Sequence, residues 1–211
     1  KEATEKRSKQ SVSELKRLAL LEQEEENLPT FSEMKAPTKQ QAYLHRQPAF
    51  MQKRAVSAAE IGTAVHAIME QAQFEENYTI EKLDVLIETL VNRQLLTAEE
   101  AAAVDRSEIV AFFKHPLVNE LRSAKRIYRE LPFTYAYDGD GDPQILQGIV
   151  DCLFETENGW AILDYKTDWI REGATLDAVE QEMHKRYGIQ LNLYKEAMES
   201  ILKIEIKEML V

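Results

Sequence analysis

The chain has 211 residues and a hydrophobic content of 44%, which is enough for one sizeable folded domain and excludes a short peptide or a wholly disordered tail. Its 26 Lys and Arg residues against 37 Asp and Glu residues give a formal net charge of -11, which argues against holding nucleic acid by bulk positive charge. Contact with phosphate groups would therefore need a local site, such as a metal cation held by acidic side chains.

The cysteine count and the polarity of the chain indicate its cellular compartment. Cys152 is the single cysteine, so an internal disulfide, a thiolate zinc site and an iron–sulfur cluster are excluded for this chain. No apolar run approaches the ~20 residues of a membrane-spanning helix, and no signal peptide is recognisable. We therefore expect a cytoplasmic location and no membrane partner. Because the chain begins at Lys1 and stops inside a strand-like run, we expect it to be a piece of a longer protein.

The N-terminal quarter differs in composition from the rest. Residues 1–56 are mostly polar, contain an acidic run at 22–26 and show no sustained apolar period. This composition predicts a partly disordered arm or linker that follows a preceding domain. Within it, residues 12–21 have the pattern of a short helix or docking segment, with a solvated tether as the alternative. The folded domain is predicted over 57–211.

Four helices are predicted before the first strand. Ser57 opens a capping-box pattern, after which apolar residues recur at helical spacing, so a helix is expected over about 57–74. The same period predicts a second helix over 79–94 and a third from 97 to near 115. Pro116 suits the first turn of a fourth, short helix.

The second half of the domain has the pattern of a sheet. Strands are expected over 126–137, 145–155 and 160–167, which gives a three-stranded antiparallel meander. A long helix over about 175–202 and a last strand from 204 complete the order. This order predicts an α/β fold of the α+β kind, with a mixed sheet flanked by helices and an N-terminal helical layer.

A hairpin between the last two strands of the meander would bring charged residues together. The dipeptide Asn158-Gly159 is a strong signal for a two-residue turn. With this dipeptide at the centre of the turn, Asp151 lies opposite Lys166, and Asp164 shares their face as a diagonal neighbour of Asp151. Two carboxylates with Cβ atoms about 7 Å apart fit a cation with oxygen ligands. The alternative is a surface salt bridge between Asp151 and Lys166, which leaves Asp164 unexplained.

His66 is a candidate for a further ligand. It lies on the first predicted helix, to one side of the apolar stripe, and Gly62 one turn earlier leaves room beside it. A histidine near an apolar face is more often structural than a metal ligand, so the helix pattern alone leaves both roles open. His184 is open in the same way, as a substrate contact or as a residue without a role.

Four segments in this order carry a family resemblance: 62–66, 148–151, 164–166 and 190–194. Each segment alone is a weak signal, whereas the four together resemble the RecB-like branch of the PD-(D/E)XK nuclease superfamily. The resemblance covers residues 57 to about 205. Within that branch it is strongest to the C-terminal nuclease domains of the AddA-type subunits in bacterial ATP-dependent helicase–nucleases of the AddAB kind. It implies the restriction-endonuclease-like core of that superfamily.

The resemblance implies a metal site. In it, His66, Asp151 and Asp164 would bind a divalent metal, with the backbone carbonyl of Tyr165 as a further ligand. The expected ion is Mg²⁺, and Mn²⁺ is expected to substitute for it. Glu130 matches a glutamate that is often seen in the family, but the resemblance does not give it a direct role here.

The resemblance also implies roles around the phosphate. Asp151 and Asp164 would be catalytic together with Lys166, which would orient or activate the attacking water and offset charge on the phosphate. Gln190 and Tyr194 would contact the substrate side, where they would steady Lys166 and the DNA backbone. Ordinary helix packing is the alternative for these two residues.

The activity that the resemblance implies is that of a metal-dependent DNA exonuclease, a phosphodiester hydrolase. It would process double-strand DNA breaks for recombinational repair as part of a helicase–nuclease. The implied partners are a single DNA strand delivered by the helicase, the rest of the same helicase chain, to which the arm would connect, and a second subunit of the AddB type. No phosphate-binding loop motif occurs, so no ATP site is expected in this chain. Two alternatives remain: a catalytically inactive nuclease fold that guides DNA, and a metal-free interaction domain.

Overall fold

The computed structural model describes residues 9–12, 55–139, 142–167 and 175–211. The helices are α1 (Ala58–Gln71), α2 (Ile80–Asn92), α3 (Ala98–Ala103), α4 (Arg106–Lys114), α5 (Leu117–Ser123) and α6 (Leu176–Leu202). The strands are β1 (Lys9–Ser11), β2 (Arg126–Gly139), β3 (Asp142–Thr156), β4 (Gly159–Leu163) and β5 (Ile206–Leu210). Within these ranges, none of the helices combines the length and the apolar character that a membrane crossing requires.

Side-chain caps decide where the helices of the N-terminal layer begin. Ser57 and Glu60 form the predicted capping box of α1, in which the Ser57 amide donates to the Glu60 carboxylate at 2.7 Å. The prediction of one helix from 97 to 115 is wrong. Val104 leaves the helical conformation, and the Asp105 carboxylate then caps α4 by accepting from the Ser107 amide at 2.8 Å. The predicted third helix is therefore two helices, α3 and α4.

The sheet is mixed and is built around β3. β2 pairs antiparallel with β3 along its length. The opposite edge of β3 is shared by β1, which pairs parallel over 145–147, and β4, which pairs antiparallel over 152–156. β5 adds to β4 in parallel. The predicted antiparallel meander is confirmed as β2, β3 and β4, in an α/β fold.

Two apolar cores cover the two faces of this sheet. The alternation along β4 shows the division, because Ala161 and Leu163 pack with helices α1 to α5, whereas Trp160 and Ile162 pack with α6. The predicted N-terminal helical layer is therefore α1 to α5, and it covers one face only.

β2 and β3 change faces at the level of Glu130 and Asp151. In β3, Val150 packs in the core under α6, whereas Cys152 packs in the core under the helical layer. Regular alternation would put both side chains on one face. On the neighbouring strand, Glu130 has a φ of 45°, while the ladder pairs on either side of it keep the same register. A left-handed glutamate inside a strand is costly, so the surrounding structure must hold it there.

The β3–β4 turn differs from the predicted turn by one residue. Glu157 and Asn158 are the turn residues, and Thr156 pairs with Gly159. Thr156 holds this turn, because its hydroxyl oxygen accepts from the Asn158 amide at 3.1 Å and its hydroxyl donates to the Gly159 carbonyl at 3.0 Å. Gly159 begins β4 with a φ of 133°, which a residue with a side chain rarely adopts.

This shift corrects the predicted pairing of the charged residues. Continued one residue past the last observed pair, Cys152–Leu163, the register puts Asp151 opposite Asp164, and not opposite Lys166. β4 ends at Leu163, before the predicted end at 167, and the Tyr165 amide turns to donate to the Asp151 carboxylate at 2.7 Å. Because the register moves by two residues, Asp151, Asp164 and Lys166 still belong to one face.

A short part of the predicted arm belongs to the sheet. Lys9–Ser11 form β1, and Val12 is buried in the core under α6. Gly148 allows this packing, since a Cβ there would lie 2.8 Å from the Phe133 ring and 3.0 Å from Val12. Most of the predicted docking segment, 13–21, lies outside the described residues, and the domain boundary at 56 stays a prediction.

Candidate metal centre

Three side chains from three different elements form a compact group of metal-binding atoms. His66 comes from α1, Glu130 from β2 and Asp151 from β3, and one ligand atom of each lies within 4.8 Å of the others. His66 Nδ1 is 3.6 Å from Glu130 Oε1 and 3.5 Å from Asp151 Oδ1. An imidazole nitrogen with two carboxylates is a donor set that divalent cations accept. The residues present therefore fit a divalent metal.

His66 also joins α1 to the segment that follows β4. Its Nε2 lies 3.0 Å from the Tyr165 carbonyl oxygen, to which the ring N–H donates. Hydrogen bonding to Glu130, with the Asp151 charge and the Tyr165 carbonyl, raises the pKa of His66 against the opposing effect of burial. A Cβ at Gly62 would lie 3.4 Å from the Thr167 hydroxyl, which is an ordinary contact distance. The segment after β4 thus packs beside Gly62, but this packing does not require a glycine.

Asp151 is the carboxylate at the centre of the site. Its side chain is 7% exposed, with Oδ1 towards His66 and Oδ2 accepting from the Tyr165 amide. Burial and the nearby Asp164 carboxylate raise the pKa of Asp151 to about 7, although His66, the Tyr165 amide and Lys166 act in the opposite direction. Asp151 is therefore more easily protonated than an exposed aspartate, and a bound cation would favour its charged form.

Asp164 is held by Lys166, two residues later in the chain, and by Gln190 of α6. It is 1% exposed, Lys166 Nζ contacts its Oδ2, and Gln190 Nε2 donates to its Oδ1 at 3.2 Å. Gln190 also donates to the Tyr194 hydroxyl at 2.8 Å. Burial raises the pKa of Tyr194, which keeps its hydroxyl neutral. Gln190 and Tyr194 thus reach Lys166 through the Asp164 carboxylate.

The sequence-predicted site residues lie together where the end of β4 meets the interior of β3, with His66 on α1 and with Gln190 and Tyr194 on α6. Among the described residues, however, the compact three-residue group contains Glu130 in the place of Asp164. The predicted ligands Asp164 and Tyr165 are adjacent to this group, so the full ligand set stays a prediction. His184 is exposed on α6, with its ring against Gly188.

Glu130 is the residue to which sequence reasoning gave no role. The ladder pairs Arg129–Cys152 and Leu131–Val150 leave Glu130 and Asp151 at one level between them. Asp151 interrupts an apolar run of β3, and Glu130 adds a second acidic residue beside it. An apolar pattern that is broken where two strands bring carboxylates together indicates a functional site.

A cavity of about 440 Å³ borders Asp164 and Lys166. Tyr165, Val65 of α1 and Phe112 of α4 also line it. The cavity therefore opens between the helical layer and the segment that follows β4, with the Lys166 ammonium group at its side.

Proteins of similar sequence are known. The sequence profile described as the PD-(D/E)XK nuclease superfamily matches residues 37–207. A protein of Lysinibacillus sphaericus that is named as an ATP-dependent helicase/nuclease subunit is 42% identical over 209 residues. Proteins with the same name in Bacillus velezensis and Bacillus licheniformis are 39% identical over 219 residues and 36% identical over 220 residues. Each alignment covers 98% of this chain but 17% of the relative, so the chain spans about a sixth of the length of these curated relatives.

Proposed function

The chain belongs to the PD-(D/E)XK nuclease superfamily, and from its site we propose that it is the metal-dependent nuclease domain of an AddA-type subunit in a bacterial helicase–nuclease. The observation that carries this proposal is the group of His66, Glu130 and Asp151 beside the Asp164–Lys166 pair. The names of the similar proteins support the helicase–nuclease context. Residues 57–211 would be the nuclease, and 1–56 the connection to the preceding helicase.

The metal ligands follow from the donor atoms. We propose that His66, Glu130 and Asp151 hold the metal, with Asp164 and the Tyr165 carbonyl as the further ligands that the family resemblance implies. The ion would be Mg²⁺, with Mn²⁺ as a substitute, and when bound it supplies an activated water and stabilises negative charge on the phosphate. The buried Asp151 carboxylate favours such a cation, because its charge is poorly solvated without one.

Lys166 contributes the positive charge of this chain's own site. Its side chain is 18% exposed and borders the cavity, so its ammonium group can contact a phosphate there. A fixed positive charge in a partly buried site stabilises the negative charge that builds on phosphoryl oxygens. Lys166 would also orient the attacking water, while Gln190 and Tyr194 hold Asp164 and, through it, Lys166.

The substrate would be DNA, cleaved as an exonuclease cleaves it during the repair of double-strand breaks. With a net charge of -11 the chain gains no long-range attraction for DNA. A single strand delivered by the helicase part of the same chain fits this charge better than independent capture does. A second subunit of the AddB type and a cytoplasmic location belong to the same proposal.

The alternatives agree less well with the contacts. In a metal-free interaction domain Asp151 and Lys166 would form an exposed pair, whereas Asp151 is buried and Lys166 contacts Asp164. An inactive module that only guides DNA has no physical need for the buried carboxylates of Asp151 and Asp164 beside the half-buried carboxylate of Glu130. The active nuclease is therefore the favoured hypothesis.

The test is degradation of end-labelled single-stranded DNA with Mg²⁺, Mn²⁺ or EDTA, for the wild type, Asp164→Ala and the control Glu88→Gln, which alters an exposed carboxylate of α2. We expect metal-dependent degradation by the wild type and the control only. Wild-type rates for Asp164→Ala, or degradation in EDTA, would contradict the site. If a complete AddA-type chain containing this domain bound metal without cleaving DNA, the guiding module would replace the nuclease.

A further inference from the structure

One face of α6 presents a column of three polar-tipped side chains to the end of β4. Tyr187, Gln190 and Tyr194 are spaced by three and four residues, so they lie above one another on the helix. Gln190 donates to Asp164, and Tyr194 in turn accepts from Gln190. Tyr187 lies one turn earlier, at the level of Lys166, and the family resemblance gives it no role.

The ring of Tyr187 lies against the ammonium group of Lys166. Lys166 Nζ is 5.0 Å from the centroid of that ring, within the range of a cation–π contact. Tyr187 is buried, with 5% of its surface exposed. The contact with the Lys166 ammonium group is therefore made by a ring that is largely shielded from water.

We propose that Tyr187 is a positioning residue that holds the Lys166 ammonium group beside Asp164 through the face of its ring. The proposal rests on the nuclease function proposed above. A lysine side chain has four rotatable bonds, and fixing it in one conformation costs up to about 2 kcal/mol of side-chain entropy. The ring offsets part of that cost at a buried site, where a cation–π contact is stronger than at the surface.

The other contacts of Lys166 do not replace this one. Its Nζ lies 3.4 Å from the Tyr165 carbonyl and contacts the Asp164 carboxylate. Both of these groups are also predicted metal ligands, so neither is reserved for the lysine. The ring of Tyr187 attracts cations without being a strong ligand for a hard metal ion. It can therefore keep Lys166 in place whichever group occupies the two oxygens.

The activity test compares Tyr187→Phe, which keeps the ring, with Tyr187→Leu, which removes it. For Tyr187→Leu we expect kcat on single-stranded DNA to fall roughly tenfold while KM and the Mn²⁺ affinity stay unchanged. Tyr187→Phe should keep wild-type kcat. In a double-mutant cycle, Tyr187→Leu should have no further effect once Lys166→Met is present. Wild-type kcat in Tyr187→Leu, or an equal loss in Tyr187→Phe, would overturn the proposal.

A second measurement tests the contact without turnover. Because protons above an aromatic ring are shielded, the ε-methylene protons of Lys166 should resonate upfield of those of the other lysines in the wild type and in Tyr187→Phe. Their assignment comes from the signal lost in Lys166→Met. An unshifted Lys166 signal in the folded wild type would refute the contact even if Tyr187→Leu failed to fold. A shifted signal in a protein without nuclease activity would refute the proposed function and leave the contact standing.

Discussion

Asp151 lies opposite Asp164 at the open end of the β3–β4 hairpin, and both carboxyl groups are buried. Each carboxylate has a positively charged or hydrogen-bonding neighbour of its own: Asp151 has His66 and the Tyr165 amide, and Asp164 has Lys166. Burial and the mutual repulsion still leave Asp151 with a raised pKa. Without a cation, the negative charges of the site are therefore only partly compensated. The resulting effect on the stability of the protein can be measured.

Replacing Asp151 by asparagine should stabilise the metal-free protein at alkaline pH. The pKa of Asp151 is raised from 3.8 to about 7 in the folded state, so the folded protein binds more protons than the unfolded chain between these values. Its free energy of unfolding therefore falls as pH rises through this window. Above pH 7 the charged Asp151 carboxylate destabilises the folded protein to the full extent. We expect Asp151→Asn to raise that free energy by on the order of 2 kcal/mol at pH 8 and much less near pH 4.

Urea denaturation in EDTA at a series of pH values measures this effect. The control is Glu88→Gln, which neutralises an exposed carboxylate of α2 and should not change the pH dependence. If the stability difference between Asp151→Asn and the wild type did not grow between pH 4 and pH 8, Asp151 would not be the destabilising charge. Added Mn²⁺ should reverse the order, because the cation stabilises the wild type and binds more weakly to the variant.

The same residues show what the sequence could and could not predict. The gathering of Asp151, Asp164 and Lys166 on one face was predictable, because a register error of two residues preserves the face. The register itself was not, since the Thr156 side chain favours a turn one residue earlier than the Asn158-Gly159 signal indicates. Local side-chain hydrogen bonds of this kind compete with dipeptide preferences.

Glu130 and the break between α3 and α4 show two other reasons why a feature of the structure was not predicted. Glu130 reaches the site because its φ of 45° changes the face of β2, and a left-handed glutamate in a strand has no sequence signature. The break at Val104 has one, because Asp105 and Ser107 form an N-cap pattern after a run of alanines. The element order followed from periodicity, whereas the group of His66, Glu130 and Asp151 required the pairing of β2 with β3 and the packing of α1 against them.

The conformation of Glu130 predicts a difference between two truncations. Both Glu130→Ala and Glu130→Gly remove the carboxylate beside His66, so both should weaken Mn²⁺ binding roughly tenfold or more. Glycine adopts a positive φ without steric strain because it has no Cβ. Glu130→Gly should therefore be more stable than Glu130→Ala by about 1 kcal/mol in EDTA. Calorimetric titration and urea denaturation provide the two measurements. Equal stability of the two variants would mean that Glu130 is not held in the left-handed conformation.

Lys166 should be separable from metal binding. Its ammonium group competes with a cation for Asp164, so Lys166→Met should bind Mn²⁺ at least as tightly as the wild type. It should nevertheless lose roughly 100-fold or more in kcat, because the charge that stabilises the transition state is gone. Lys185→Met, at an exposed position of α6, is the matched control. Parallel loss of metal affinity and turnover would make Lys166 a structural residue.

Arg129 should act on the site from a distance, through α1. Its guanidinium group donates to the Glu70 carbonyl at 2.9 Å and to the Ala72 carbonyl, at the end of the helix that carries His66, and it lies 4.0 Å from the centre of the Phe74 ring. These contacts satisfy carbonyls that have no partner within the helix. They also fix α1 against β2, one residue before Glu130. Arg129→Met should therefore lower the free energy of unfolding by about 2 kcal/mol and weaken Mn²⁺ binding as well.

Arg126→Met is the matched control for this prediction, because the exposed Arg126 lies on the same strand but contacts Glu155 and the Trp160 ring. Surface ion pairs and exposed cation–π contacts each contribute roughly 0–1 kcal/mol, so the control should lose less stability than Arg129→Met and should bind Mn²⁺ like the wild type. If Arg129→Met lost stability but bound Mn²⁺ like the wild type, the contacts at the end of α1 would hold the fold without positioning His66. If both properties fell together and Arg129→Lys restored part of each, the contacts at the C-terminal end of α1 would position His66 beside Glu130 and Asp151.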